Sequence, residues 1–169
     1  MTSILAVDPG SERSAWLVLD GDRIASDDAD GPLYGIVDNE TLLEVIRRWH
    51  DDARIALVPL LRAVVIEDIE PRQQPLGREV ADTLRWIGRY MEAAHPVPVT
   101  LLPRRVVARH LCDGPHPGDP EVRGALLDRW GGKDATRKGG PLHGVVRDLW
   151  SALALAVTWA DLHGGGGER

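Results

Sequence analysis

The sequence predicts an α/β fold, a mixed five-stranded sheet flanked by helices. Three observations carry that expectation. Short apolar runs joined by tight polar turns open the chain, the mark of an antiparallel meander. Strand-like runs then alternate with helical periodicity, the mark of βα units. The last third reads as helices alone. Composition agrees: 169 residues, 43% hydrophobic and 27% charged, make one ordinary globular domain with a core that needs no staples.

Each element has a local reason. Ser3–Asp8 (SILAVD) is an apolar run closed by an acid, and Pro9-Gly10 turns the chain. Ser14–Asp20 (SAWLVLD) is the second strand, Gly21-Asp22 the connection, and Arg23–Ser26 a short third strand. Asp27–Gly35 reads as a polar loop. Asp38 or Asn39 can cap a helix carrying Leu42, Leu43, Val45, Ile46 and Trp49 at helical spacing. Arg62–Glu67 (RAVVIE) is an unbroken apolar strand, expected to be covered on both faces. Pro71–Gly77 is a loop, and a second helix spans Arg78–Ala94 before Pro96 stops it. Val97–Leu102 is the fifth strand, and Pro103 opens a short helix to Leu111. After a Gly/Pro/His loop at Cys112–Gly118, Asp119 caps and Pro120 starts a helix to Trp130. Gly131–Leu142 is a polar, basic loop, and the last helix covers Gly144–Leu162. One domain, 1–163, is expected, with a flexible glycine-rich tail at 164–169. The order β-β-β-α-β-α-β followed by helices is the ribonuclease H-like order.

Several classes of function are excluded. A single cysteine, Cys112, leaves no disulfide framework and no cysteine zinc site. No apolar run approaches the length of a membrane span. The opening MTSILAVDPGSER lacks a basic n-region, so no signal peptide is expected and a cytoplasmic location is. The formal charge is −6, but it is unevenly spread. Residues 1–70 hold 6 basic and 15 acidic side chains, whereas residues 71–110 hold 7 basic and 3 acidic. A basic middle in an acidic chain suits either a polyanion-binding face or a solvated arginine-rich helix.

The chemistry lies in the acids. Asp8 ends the first strand and Glu67 the fourth. If these strands are parallel neighbours, both carboxylates emerge at one edge, where open α/β sheets place their ligands. Two such carboxylates repel unless a cation lies between them. Mg²⁺, which takes oxygen ligands, is the usual one, and a pair of ions suits phosphodiester cleavage. Asp148, near the start of the last helix, is a candidate third carboxylate, and His143 stands five residues before it. Each also has a plain structural role: a turn residue, a helix-start acid, a loop histidine. Asp68 points away from Glu67 by strand alternation and reads, with Glu70, as a surface acid.

These residues resemble a known family. ILAVDPGS at 4–11, VIE at 65–67 and DLWSALALA at 148–156 are similar to the three acidic motifs of RuvC-like Holliday junction resolvases, as is the 59-residue step from Asp8 to Glu67. Segments 67–90, 109–130 and 140–159 look more like phage-associated and uncharacterised bacterial members. The resemblance implies a crossover-junction endodeoxyribonuclease. Such an enzyme cuts branched DNA by two-metal-ion hydrolysis with Mg²⁺ or Mn²⁺, leaves a 5′-phosphate, and works as a homodimer. It assigns Asp8, Glu67 and Asp148 as metal ligands and catalytic residues. His143, from its place before Asp148, is expected to relay a proton or orient the attacking water. Where the family has a further Asp, this chain has Ser151. A three-carboxylate site, a site completed by His143 or Asp134, or weakened catalysis would each follow.

The expected DNA-contacting residues are Arg72, Arg78, Arg85, Arg89, Arg104, Arg105, Lys133, Arg137 and Lys138, with Arg109 beside them; Arg78, Arg85 and Arg89 stand at offsets of 7 and 4 and share a face of the second helix. Phosphate contacts of this kind hold DNA without reading its sequence. Trp86 and Tyr90 read as core or dimer-interface residues rather than base-stacking ones. Two other functions fit the same fold: a junction-binding module with little cleavage, and a nuclease acting on RNA–DNA hybrid. Sugar kinases and actin-like ATPases share a DPGS turn but need a second domain and a second phosphate loop.

Overall fold

The computed structural model describes residues 3–27, 31–54, 61–70 and 76–164. In chain order the strands and helices are β1 (Ser3–Asp8), β2 (Arg13–Asp20), β3 (Arg23–Ile24), β4 (Ser26–Asp27), β5 (Gly31–Pro32), β6 (Tyr34–Asp38), α1 (Asn39–Arg54), β7 (Leu61–Asp68), α2 (Arg78–Ala94), β8 (Val99–Pro103), α3 (Arg104–Leu111), α4 (Asp119–Arg129) and α5 (Leu149–Gly164). A 3₁₀ turn at Gly132–Thr136 separates the last two helices.

The main sheet runs β3-β2-β1-β7-β8, with β6 also paired to β2. β1 lies antiparallel to β2 and parallel to β7, and β7 lies parallel to β8. The sheet is therefore mixed, as the sequence predicts, but it has six strands. The sixth, β6, begins inside the segment read as a polar loop. Its Gly35 and its edge position hide the strand signal, and pairing with β2 supplies the hydrogen bonds that propensity did not promise.

Strand alternation divides the core in two. Ile4, Ala6, Ala63 and Val65 face the layer of α3, α4 and α5. Leu5, Val7, Val64 and Ile66 face the layer of α1 and α2, against Leu42, Ile46, Ile87 and Tyr90. Burial on both faces explains the unbroken apolar runs of β1 and β7. α5 is the central helix of the first layer. Ala152 through Trp159 are all buried, so its sequence is apolar all round rather than striped.

One of three helix starts is as expected and two differ in detail. Asp38 caps α1: its carboxylate accepts from the Thr41 amide at 2.9 Å and the Thr41 hydroxyl at 2.7 Å. α4 is capped by Gly118, whose amide donates to Glu121 at 3.0 Å, so Asp119 is its first helical residue rather than its cap. α5 begins at Leu149, not at Gly144. The segment before it is a series of turns, with Gly144 at φ +85° and Arg147 at φ +49°. A Cβ on Gly144 would overlap the Tyr34 hydroxyl, so only glycine fits there.

Candidate active site

The register explains how the acids meet. Val7 pairs with Ile66 across the parallel β1–β7 ladder, so Asp8 and Glu67 follow side by side at the carboxyl edge. Alternation turns both toward the α5 layer, in step with Ala6 and Val65. α5 starts at the same place. Asp148 supplies the first carbonyl of that helix, accepting from the Ala152 amide at 3.1 Å. Asp8, Glu67, Asp148 and Ser151 line one cleft of about 620 Å³.

The turn after Asp8 is fixed from behind. The Asn39 amide donates to the Gly10 carbonyl at 3.0 Å, and the Gly10 amide donates to Ser14 Oγ at 3.3 Å. Ser14 donates to Asn39 Oδ1 at 2.7 Å, and the Tyr90 hydroxyl lies 3.1 Å from Ser14 Oγ. Ser14, Asn39 and Tyr90 are buried, so the network is rigid. Burial pushes the Tyr90 hydroxyl up to about 12, which keeps it a neutral partner. The segment before Asp148 is pinned from the other side, where the Tyr34 hydroxyl donates to the His143 carbonyl at 3.1 Å. The unforeseen strand β6 therefore supports the approach to the third acid.

The electrostatics are those of crowded carboxylates. Burial pushes Asp8 up to about 7, and Glu67 and Asp148 add to the rise, while a hydrogen bond from Ser151 opposes it. Burial also raises Glu67, and the Arg104 guanidinium 3.6 Å away opposes that rise. Arg104 also pairs with Asp119 at the start of α4. Val107, Val122, Leu127 and Trp150 make the neighbouring cleft wall apolar. Little water can screen charge along such a wall.

Several expected site residues stand elsewhere. His143 is not among the residues lining the cleft, and its carbonyl is taken by Tyr34. Asp134 pairs with Arg137 at 3.0 Å and does not line the cleft either. Of the expected DNA-contacting residues that the structure describes, only Arg104 lines it. Arg78 and Arg85 both pair with Asp82 on α2, at 3.7 and 2.5 Å. Arg89 grips Glu40 through two 2.9 Å bonds and lies over the Trp86 ring. Helix α2 packs on the sheet face opposite α5, so the shared arginine face predicted there is turned from the cleft. Arg105 pairs with Glu70 at 2.5 Å. Arg109, Lys133, Arg137 and Lys138 are exposed, and Arg72 lies outside the described residues. Tyr90 is a core residue, as expected.

Two cleft arginines were missed. Arg123 on α4 lies over the Trp150 ring, 4.8 Å from its centroid, and Arg147 precedes Asp148. Adjacency to Asp148 was the available signal for Arg147. Arg123 had none, because only the packing of α4 against α5 brings it there.

Among the described residues, no group of three His, Cys, Asp or Glu side chains is drawn together as a ready ligand set for a metal ion. The donor chemistry nonetheless fits a hard divalent cation. The cleft gathers the carboxylates of Asp8, Glu67 and Asp148, with Asp119 also lining it, and the Asp8 carboxyl, raised first by burial and then by Glu67 and Asp148, lacks enough positive charge beside it.

A mixed six-stranded sheet with helices packed on both faces is a ribonuclease H-like α/β fold. Two solved structures share it. T. thermophilus RuvC in complex with a Holliday junction substrate is 21% identical, with a TM-score of 0.62 over 98% of this chain and 97% of that one. A Thermus thermophilus RuvC structure is likewise 21% identical, with a TM-score of 0.59 over 96% and 97%. The chain has the RuvC fold along nearly its whole length. No family model matches the sequence, and no curated protein does. No helix among the described residues is long and apolar enough to cross a membrane.

Proposed function

We propose that this protein is a divalent-metal-dependent endonuclease that cuts branched DNA, a Holliday junction resolvase acting in the cytoplasm. The observation that carries the reading is the placing of Asp8 and Glu67 side by side on parallel β1 and β7, with Asp148 lining the same cleft. The RuvC neighbour bound to a Holliday junction supports the choice of substrate.

Asp8, Glu67 and Asp148 would hold two Mg²⁺ or Mn²⁺ ions. Bound there, the ions supply water activation and neutralise charge on the phosphate. The chain's own residues prepare the rest. Ser151 lines the cleft beside Asp8, and its hydrogen bond favours the ionised carboxylate that a cation needs. The buried Ser14–Asn39–Tyr90 network holds the turn that follows Asp8. Arg104, Arg123 and Arg147 give the cleft positive charge, which draws in a phosphate backbone without reading bases. Val107, Val122, Leu127 and Trp150 put apolar surface beside the acids, where charges are screened less than in bulk water. Lys133, Lys138 and Arg109 are exposed and free to meet phosphate outside the cleft. A homodimer would present two such clefts for paired nicks, and the exposed Leu84 and Met91 of α2 offer it apolar surface.

The test is cleavage of an end-labelled mobile four-way junction, compared with linear duplex and RNA–DNA hybrid, in Mg²⁺, Mn²⁺ or chelator. Paired metal-dependent nicks in the junction alone, lost in Asp8→Asn, are the expected result. An intact junction under every metal, despite tight binding, would sink the reading. One observation favours a second reading, a junction-binding module with weak cleavage. Ser151 lines the cleft as an uncharged side chain where a further acid could stand. Preferred cleavage of the hybrid would instead mark a ribonuclease.

A further inference from the structure

We propose that Arg104 and Asp119 form a latch that sets how tightly the cleft takes a divalent cation, an inference that rests on the metal-dependent reading above. The latch follows from register. Glu67 pairs with Leu102 and Asp68 with Pro103 across the β7–β8 ladder. α3 begins at the next residue, so its first side chain, Arg104, emerges beside Glu67. One end of the guanidinium lies 3.6 Å from Glu67 Oε1, and the other is bonded to Asp119 Oδ1. Asp119 is free to reach it because Gly118, not Asp119, caps α4.

The two anchors differ. The Glu67 side chain is 16% exposed and Asp119 is 76% exposed. Arg104 therefore spans from the floor of the cleft to its rim. A guanidinium and a divalent ion compete for the same carboxylate oxygens of Glu67. Asp119 offers the guanidinium a second place to rest, so Glu67 can change partner without leaving Arg104 unpaired. Arg104 then stays at the rim, where the phosphate backbone of a substrate arrives. Asp119 acts on the cation through Arg104 and is a positioning residue.

The experiment measures Mn²⁺ affinity of the full chain without DNA, by calorimetry and by the electron paramagnetic resonance signal of free Mn²⁺. Arg104→Gln removes the competing cation, and Mn²⁺ binds on the order of tenfold more tightly. Arg105→Gln removes the same charge one residue along, where Arg105 pairs with Glu70, and leaves the affinity close to wild type. Asp119→Asn removes the outer anchor, drops Arg104 fully onto Glu67, and weakens binding several-fold. In an Arg104→Gln background the same Asp119→Asn change has a much smaller effect, because the residue it works through is gone. Asp119 acting by its own charge alone would weaken binding equally in both backgrounds, and that result overturns the latch. So does Arg104→Gln binding no more tightly than Arg105→Gln. Wild type that takes up no Mn²⁺, or takes it up as Asp8→Asn does, overturns the metal reading and the latch with it. Thermal unfolding of each variant confirms that it is folded.

Discussion

Replacing Asp8 by Asn is expected to abolish cleavage and, without metal, to make the protein more stable at neutral pH. The carboxylate is raised from 3.8 to about 7 by burial and by Glu67 and Asp148. The sign follows from proton linkage. The folded state holds the Asp8 proton more firmly, so the unfolded state ionises first as pH rises. The penalty on folding is absent below about pH 3.8, grows above it, and is complete near pH 7. A rise of about 3 pH units corresponds to about 4 kcal/mol. Glu67 shares the crowding, so the neutral amide should recover about half, roughly 2 kcal/mol. For a domain of this size that is roughly 4–8 °C in Tm. Ser151 can still donate to the amide oxygen, so no new orphan is made. The assay is thermal unfolding of both proteins with chelator at pH 8, 6 and 4. The gain should be largest at pH 8 and gone at pH 4. Added Mn²⁺ should close the gap by stabilising wild type alone. A variant no more stable than wild type at pH 8 in chelator would refute the reasoning, because Asp8 would then not be a crowded, unpaired acid.

Other expectations follow from single contacts. Gly144→Ala forces a methyl onto the Tyr34 hydroxyl in a left-handed backbone and should cost about 2 kcal/mol or more in denaturant unfolding; adding Tyr34→Phe should restore part of it. Tyr90→Phe deletes the hydroxyl beside Ser14 and should cost about 1 kcal/mol in the same assay. Ser151→Asp adds a further carboxylate beside Asp8 and should tighten Mn²⁺ binding, while raising cleavage if the missing acid limits it. Asp161 is held below its usual range by the Arg129 hydrogen bonds and by His110. Its contribution is present above about pH 3.8 and lost as pH falls through its lowered folded value. Asp161→Asn should therefore lower the unfolding free energy at pH 7 by no more than about 1 kcal/mol after solvent screening, seen as a lower Tm, and leave it unchanged near pH 2.

The sequence by itself determined the elements whose signals are local. The apolar runs of β1 and β7, and the periodicity of α2 from Arg78 to Ala94, needed nothing beyond their own residues. Alternation also sent Asp8 and Glu67 one way and Asp68 the other. Tertiary structure decided what depends on partners distant in the chain. β6 is a strand because β2 hydrogen-bonds it, although Gly35 argues for a loop. Three arginines on one face of α2 read as a DNA surface, yet two pair with Asp82 and the third with Glu40 on α1. His143 stands near Asp148 in sequence, but turns with left-handed residues intervene, and its carbonyl serves Tyr34. Arg104 entered the cleft because the β7–β8 register starts α3 beside Glu67. Periodicity fixes which way a side chain points from its own element. Only packing fixes what it meets, and a charged group takes its function from what it meets.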